Sequence, residues 1–117
     1  MSPSRSTKVT IINNLPFDLV LQSDNLDHGE WTQSLSPPQL IQAGTSASFQ
    51  AESAGFATGD QGEVTYSSDA GNFTFRFDNP FSGSNEYSDS VPNGYAAIQN
   101  GGSGDNAEVS WTLQQVN

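Results

Sequence analysis

The chain contains no cysteine among its 117 residues. Disulfides, thiolate nucleophiles and cysteine-ligated zinc or iron–sulfur centres are therefore excluded. Positive charge is also scarce, because 3 lysines and arginines stand against 13 acids and leave a formal net charge of −10. Nucleic acids and anionic lipid surfaces are bound through clusters of Lys and Arg, and the sequence has none. It therefore indicates a neutral, zwitterionic or cationic partner, or a charge that serves only solubility.

Long apolar segments are missing as well. No apolar run approaches the roughly 20 residues of a membrane-spanning helix, so we expect no transmembrane segment. The first eight residues lack the apolar stretch of a signal peptide. We therefore expect a cytoplasmic protein, or one released by another route, that associates with membranes only peripherally. The length predicts a single domain over residues 1–117, with a flexible N-terminus over residues 1–7.

The residues that are present alternate over short stretches. Apolar and polar side chains alternate at residues 17–22, 46–51 and 73–77, and no stretch has a convincing helical period. Residues 64–66 and 73–75 predict a hairpin across a turn at 69–71. Polar residues at 24–29 predict a loop. The pattern predicts an all-β, single-domain antiparallel β-sandwich of roughly 8–10 short strands.

The segment at 77–87 is the candidate functional surface. A strand with one aromatic face ends there at an Asn-Pro pair, and we expect a loop rich in aromatics and amides to follow. The alternative is a surface turn whose Phe81 and Tyr87 pack back onto the core. The predicted ligand-binding residues, with one aromatic from a separate segment, are Asp78, Asn79, Pro80, Phe81, Asn85, Tyr87 and Trp31.

Four segments, taken in order, give the chain a family likeness. Residues 9–14 form an apolar strand ending in Asn, and residues 37–44 begin with two prolines. Residues 58–66 contain Thr-Gly-x-x-Gly before an aromatic-ended strand, and residues 77–85 read Phe-Asp-Asn-Pro-Phe-Ser-Gly-Ser-Asn. In these features the chain resembles the aegerolysins and, more distantly, the actinoporin-type cytolysins with the same sandwich.

The resemblance implies a protein that recognises a sphingolipid headgroup on a membrane. It places the headgroup near Asp78, Pro80 and Tyr87, with Phe81 at the interface and Tyr66 and Trp31 as further aromatic candidates. Aromatic faces attract ammonium groups by about 0.5–2 kcal/mol per contact. The short N-terminus leaves no room for the inserting helix of actinoporins, so lysis would depend on a partner protein. A homo-oligomer is also left open.

Other function classes have less support. A lectin that binds a glycan through the same loop surface remains the alternative, because aromatic rings and amides also suit sugars. Catalysis is not expected, since His28 is the only histidine and Asp27-His28-Gly29 is typical of a polar turn. The acids at 24–27 and 60–63 match no spaced calcium loop. The sequence thus predicts no enzyme, no cofactor and no metal, and it assigns Trp111 to the core.

Overall fold

The computed structural model describes residues 3–116, and within that range the chain forms ten β-strands and no helix. The strands are β1 (Ser6–Asn13), β2 (Leu19–His28), β3 (Glu30–Trp31), β4 (Leu40–Ile41), β5 (Ser46–Glu52), β6 (Asp60–Ser68), β7 (Gly71–Asn79), β8 (Glu86–Ser90), β9 (Tyr95–Gly101) and β10 (Asn106–Gln115).

The strands form two sheets of five, in the orders β3-β5-β1-β10-β9 and β4-β2-β6-β7-β8. All neighbours pair antiparallel except β1 and β10, which run parallel from Ser6↔Asn106 to Asn13↔Leu113. The predicted all-β sandwich is therefore confirmed, with one parallel pair in the middle of the first sheet.

The core lies between the inner faces of the two sheets, where every second residue points inward. Trp111 at its centre is fully buried against Phe75 and Tyr87, with ring centroids 5.2 and 6.1 Å away. The assignment of Trp111 to the core is thus confirmed. The other large buried apolar side chains are Val9, Ile11, Leu15, Leu19, Ile41, Phe49, Val64, Tyr66, Phe73, Phe75, Phe77, Val109 and Leu113.

The hairpin of β6 and β7 has the predicted pairing. Tyr66 lies opposite Phe73, and Ser68 lies opposite Gly71 at the turn. Because Phe73, Phe75 and Phe77 point inward, the residues that alternate with them, including Arg76 and Asp78, lie on the outer face of the sheet. The strand ends at Asn79, immediately before Pro80, as expected.

The loop predicted at residues 24–29 is wrong for 24–28, which form the second half of β2. The backbone pairs with β6 from Ser23↔Thr65 to His28↔Gln61, with register irregularities at Leu21/Ser23 and Leu26/His28. Such irregularities break the two-residue alternation. The segment is also largely exposed. Its sequence therefore shows neither the two-residue alternation nor the apolar residues that are typical of a strand.

Two further expectations need correction. Residues 86–90 form the edge strand β8, so Tyr87 lies on a strand and not on a loop. Ser6 and Thr7 belong to β1, where they pair with β5 and β10, so the flexible segment expected over 1–7 does not include them. Its first two residues lie outside the described range. Over residues 3–116, no helix has the length and apolar character needed to cross a bilayer.

Candidate functional site

Three loops meet at one end of the sandwich, and we call this end the rim. They are residues 53–59 between β5 and β6, 80–85 between β7 and β8, and 102–105 between β9 and β10. The strand pairings bring them together, because Ser6 lies opposite both Asn106 and Glu52, and Asp60 lies opposite Asn79. The predicted loop after Asn79 is thus one of three that share a surface.

Arg5 holds the middle loop in place. Its guanidinium donates to the carbonyl oxygens of Pro80 (3.3 Å) and Phe81 (2.6 Å), and its Cζ lies 4.8 Å from the centre of the Phe81 ring. It also pairs with Asp105 on the third loop, with 3.5 Å between Nε and Oδ1. The Phe81 side chain is 44% exposed. Phe81 is therefore an ordered aromatic that still faces solvent.

The outer face of the second sheet carries an acidic depression of about 520 Å³, which we call the acid cleft. Its carboxylates come from Asp27, Glu63, Asp78 and Glu86, and Tyr87 forms part of its wall. Arg76 donates from Nε to Glu63 at 2.7 Å and so offsets one of these charges. Partial burial, together with the charge of Glu86, raises the pKa of Asp78, while His28 lowers it. The cleft is therefore suited to a cationic group.

A second depression of about 340 Å³, the end cleft, lies between the first two rim loops. Asp78 borders both clefts. The walls of the end cleft are formed by His28, Ala57, Thr58, Gly59, Asp60, Gln61, Asp78, Pro80 and Phe81. The two loops touch closely, because a Cβ at Gly59 would lie 2.8 Å from the Cα of Pro80.

Phe56, in the first rim loop, is 96% exposed. Its neighbours hold it there, since Gly55 has φ 120° and Ala57 has φ 57°, a left-handed conformation that is uncommon outside glycine. The Thr58 hydroxyl donates to the Gly55 carbonyl at 2.9 Å and closes the turn. The sequence analysis did not include this Phe among the candidate site residues. The sequence feature that could have indicated it is a large apolar residue that lies between turn residues and outside any stretch of alternating apolar and polar residues.

Asn79 does not reach the surface, so the expectation that it contacts a ligand is wrong. It is fully buried, and its amide donates to the carbonyls of Ser6 (3.0 Å) and Asp105 (2.9 Å). Because it faces inward opposite Asp60, it joins β7 to the start of β1 and to the third rim loop.

Tyr87 and Asn85 are tied to the third rim loop. The Tyr87 hydroxyl donates to the Gly102 carbonyl at 2.7 Å, and the Asn85 amide donates to the carbonyls of Gly102 and Gly104, both at 2.9 Å. Burial raises the pKa of Tyr87 to about 12. A polar groove of about 590 Å³ runs between them and Gln99. The amide hydrogens that a sugar would need from Asn85 are already used within the protein.

Trp31 and Tyr66 do not join the rim clefts. Trp31 is half-buried against Phe49 and Phe77, and its Nε1 donates to Asp24 at 3.2 Å. Tyr66 is buried, and its hydroxyl donates to the Pro38 carbonyl at 2.7 Å. The structure therefore brings together Asp78, Pro80 and Phe81 at one cleft, and Asp78 with Tyr87 at the other.

Gly102 offers a test of how tightly Tyr87 is held. A Cβ at Gly102 would collide with the Tyr87 ring, and its φ of 107° also disfavours a side chain. We expect Gly102→Ala to lower the free energy of unfolding by about 2–4 kcal/mol, measured by urea denaturation. Gly104→Ala is the matched control, because φ is 92° there and nothing lies within 4 Å of the added Cβ. Equal losses in the two variants would contradict the role of Tyr87.

The proteins to which the chain is similar include one sequence relative and one solved structure. Over 115 residues the chain is 30% identical to an uncharacterized protein of Dictyostelium discoideum, and it spans 10% of that protein's length. The crystal structure of the lipid binding protein Nakanori has the same fold, with a TM-score of 0.84 at 14% identity, over 98% of this chain and 72% of that one. No family model matches the sequence.

Proposed function

We propose that the protein is a non-enzymatic membrane-lipid recognition protein that docks through the rim. The observation that carries this proposal is the pair of exposed phenylalanines, Phe56 and Phe81, on adjoining loops beside an acidic cleft. A domain surrounded by water gains nothing from holding a phenyl ring almost wholly exposed, whereas a bilayer interface buries it favourably. That a solved structure of the same fold belongs to a lipid binding protein supports the same class of function.

The charge at the rim narrows the class of lipid. Asp27, Asp78 and Glu86 line the acid cleft, and within residues 3–116 none of the three forms a salt bridge, while the chain carries a net charge of −10. Anionic headgroups are repelled by such a surface, whereas an ammonium group is attracted by the carboxylates. We therefore propose a zwitterionic headgroup with a terminal ammonium, of the sphingolipid class that the aegerolysin-like motifs imply.

Permeabilisation is a separate step in this proposal. The exposed phenylalanines and the acid cleft account for contact with lipid at the depth of the headgroups, where amphipathic and aromatic anchors lie. We propose that this domain supplies recognition, and that any lysis requires a partner protein or several copies of the chain.

Cosedimentation with vesicles tests the proposed function. We expect binding to vesicles containing sphingomyelin, comparable binding to phosphatidylcholine vesicles because the two lipids share the phosphocholine headgroup, and none to vesicles rich in phosphatidylserine. Asp78→Asn should weaken sphingomyelin binding about 3- to 10-fold, because one carboxylate facing the ammonium is lost. Asp69→Asn, in the exposed turn at the opposite end, is the matched control.

Two outcomes would contradict the proposal. Preference for phosphatidylserine would show that the acidic rim is not the docking surface. Binding on a glycan array without binding to any vesicle would favour the lectin alternative and the polar groove beside Asn85.

A further inference from the structure

A buried polar cluster lies directly beneath the rim. Among residues 3–116, four fully enclosed side-chain atoms lack a hydrogen-bond partner, namely Thr7 Oγ1, both carboxylate oxygens of Asp60, and Asn79 Oδ1. All three residues are 0% exposed and face inward from three different strands. Buried polar atoms without partners are uncommon in folded proteins and require an explanation.

The cluster has too many acceptors for its donors. Both hydrogens of the Asn79 amide are given to the carbonyls of Ser6 and Asp105, so its Oδ1 can only accept. An ionised Asp60 can also only accept, which leaves the Thr7 hydroxyl as the single donor for three oxygens. One proton on Asp60 balances the cluster, because the Thr7 hydroxyl and the protonated carboxyl then supply two donors for the two remaining acceptors, and Asp60 lies opposite Asn79 in the pairing of β6 with β7.

We propose that Asp60 is a proton-binding site, a carboxylic acid that is neutral in the folded protein at mildly acidic pH and then links Thr7 on β1 to Asn79 on β7. Ionisation of Asp60 leaves a buried negative charge with too few hydrogen-bond donors around it. It therefore weakens the contact between β1 and β7 beneath the rim loops. This inference is independent of the lipid proposal, because it concerns the interior of the sandwich.

The surroundings of Asp60 favour the neutral form. The pKa of Asp60 is raised from 3.8 to about 6, mainly by burial and to a smaller extent by the nearby carboxylates of Asp78 and Glu52. The Thr7 hydroxyl acts in the opposite direction and lowers it.

Three other titratable or charged groups lie around the cluster. His28 borders the end cleft together with Asp60, and the charge of Asp60 raises the pKa of Tyr87. The guanidinium of Arg5 is committed to the carbonyls of Pro80 and Phe81 and to Asp105. None of these three gives Asp60 a hydrogen bond.

The sign of the pH effect follows from the raised pKa. Between pH 3.8 and about 6 the folded protein binds more protons at Asp60 than the unfolded chain does. The stability that Asp60 contributes is therefore complete at low pH and is lost as the pH rises through that window. From pH 5.0 to 7.5 the unfolding constant should rise roughly tenfold through this group alone.

Urea unfolding of the full chain at pH 5.0 and 7.5 tests the proposal with Asp60→Asn. The introduced amide donates to Asn79 and accepts from Thr7, as the neutral acid does, so this variant should be at least as stable as the natural protein at pH 7.5. The unfolding constant of this variant should also lack the roughly tenfold rise between pH 5.0 and 7.5. Asp69→Asn, in an exposed turn, is the control that should keep the natural pH profile. Parallel profiles for the natural protein and Asp60→Asn would overturn the proposal.

A carbon-13 NMR titration of the Asp60 carboxyl in the natural protein tests the proposal even if Asp60→Asn fails to fold. We expect a midpoint well above the ordinary value of about 3.9 for Asp, and a still higher midpoint in Thr7→Val. A midpoint near 4 would overturn the proposal. So would a rise in the stability of the natural protein, but not of Asp60→Asn, when calcium or potassium chloride is added at pH 7.5, because a cation would then fill the cluster.

Discussion

Replacing Trp111 with Ala is expected to lower the free energy of unfolding by about 3–5 kcal/mol, the usual cost of truncating a large buried aromatic. Trp111 is fully buried on β10, the strand that runs parallel to β1, and it packs on Phe75 and Tyr87 from the opposite sheet. Its removal leaves a cavity where the two sheets meet, and close-packed neighbours fill such a cavity only in part.

Urea denaturation checks this value, and two further variants define its origin. Trp111→Phe keeps part of the packing but loses the hydrogen bond from Nε1 to Asp89, at 3.1 Å, so we expect a smaller loss than for Ala. Ile98→Ala, at a half-exposed position on the neighbouring strand, should change stability by no more than about 0.5 kcal/mol. If Trp111→Ala cost no more than Ile98→Ala, the assignment of the core would be wrong.

Phe56→Ser is expected to reduce partitioning onto sphingomyelin vesicles by about 10- to 100-fold, with the urea midpoint unchanged. Full burial of a phenyl ring contributes about 1.5–3 kcal/mol, and each 1.4 kcal/mol corresponds to a factor of about ten. Stability should not change, because the ring is 96% exposed and makes few contacts within the protein.

The matched control for this prediction is Val116→Ser. Val116 is a half-exposed apolar residue at the opposite end of the sandwich, where its backbone N–H donates to the Gly94 carbonyl. Equal losses of binding in the two variants would indicate non-specific adhesion of apolar surface rather than docking through the rim.

Strands in which apolar and polar residues alternate regularly could be predicted from the sequence. Strands that lack this alternation, and are defined only by their backbone pairing with a neighbour, could not be predicted. The hairpin of β6 and β7 was predicted correctly because its inward positions are large and apolar and its turn contains Gly71. The second half of β2 escaped prediction because its register irregularities and exposed polar residues conceal the period. The edge strand β8 escaped for a similar reason, since Tyr87 is its only residue that is not exposed.

The same distinction applies to the site. The Asn-Pro break located the second rim loop, and the alternation of Phe73, Phe75 and Phe77 extends to an inward Asn79. The partners of Asn79 could not be predicted, because Ser6 and Asp105 are distant from it in the chain. The contribution of the first rim loop depends on Asp60 lying opposite Asn79. That pairing places Phe56 at the same end of the sandwich as Phe81. The pairing is visible only in the folded structure.

The most direct test of docking through the rim uses the fluorescence of an introduced tryptophan. Phe56→Trp places the probe on the rim, and Val116→Trp places it at the opposite end. The emission of the natural protein, which contains Trp31 and Trp111, is subtracted from that of each variant. With vesicles containing sphingomyelin and bromine-labelled phospholipid, we expect the emission of the rim probe to shift to the blue and be quenched. The emission of the probe at the opposite end should stay unchanged. Quenching of the Val116→Trp probe without quenching of the Phe56→Trp probe would contradict the account, because the protein would then meet the bilayer with its other end.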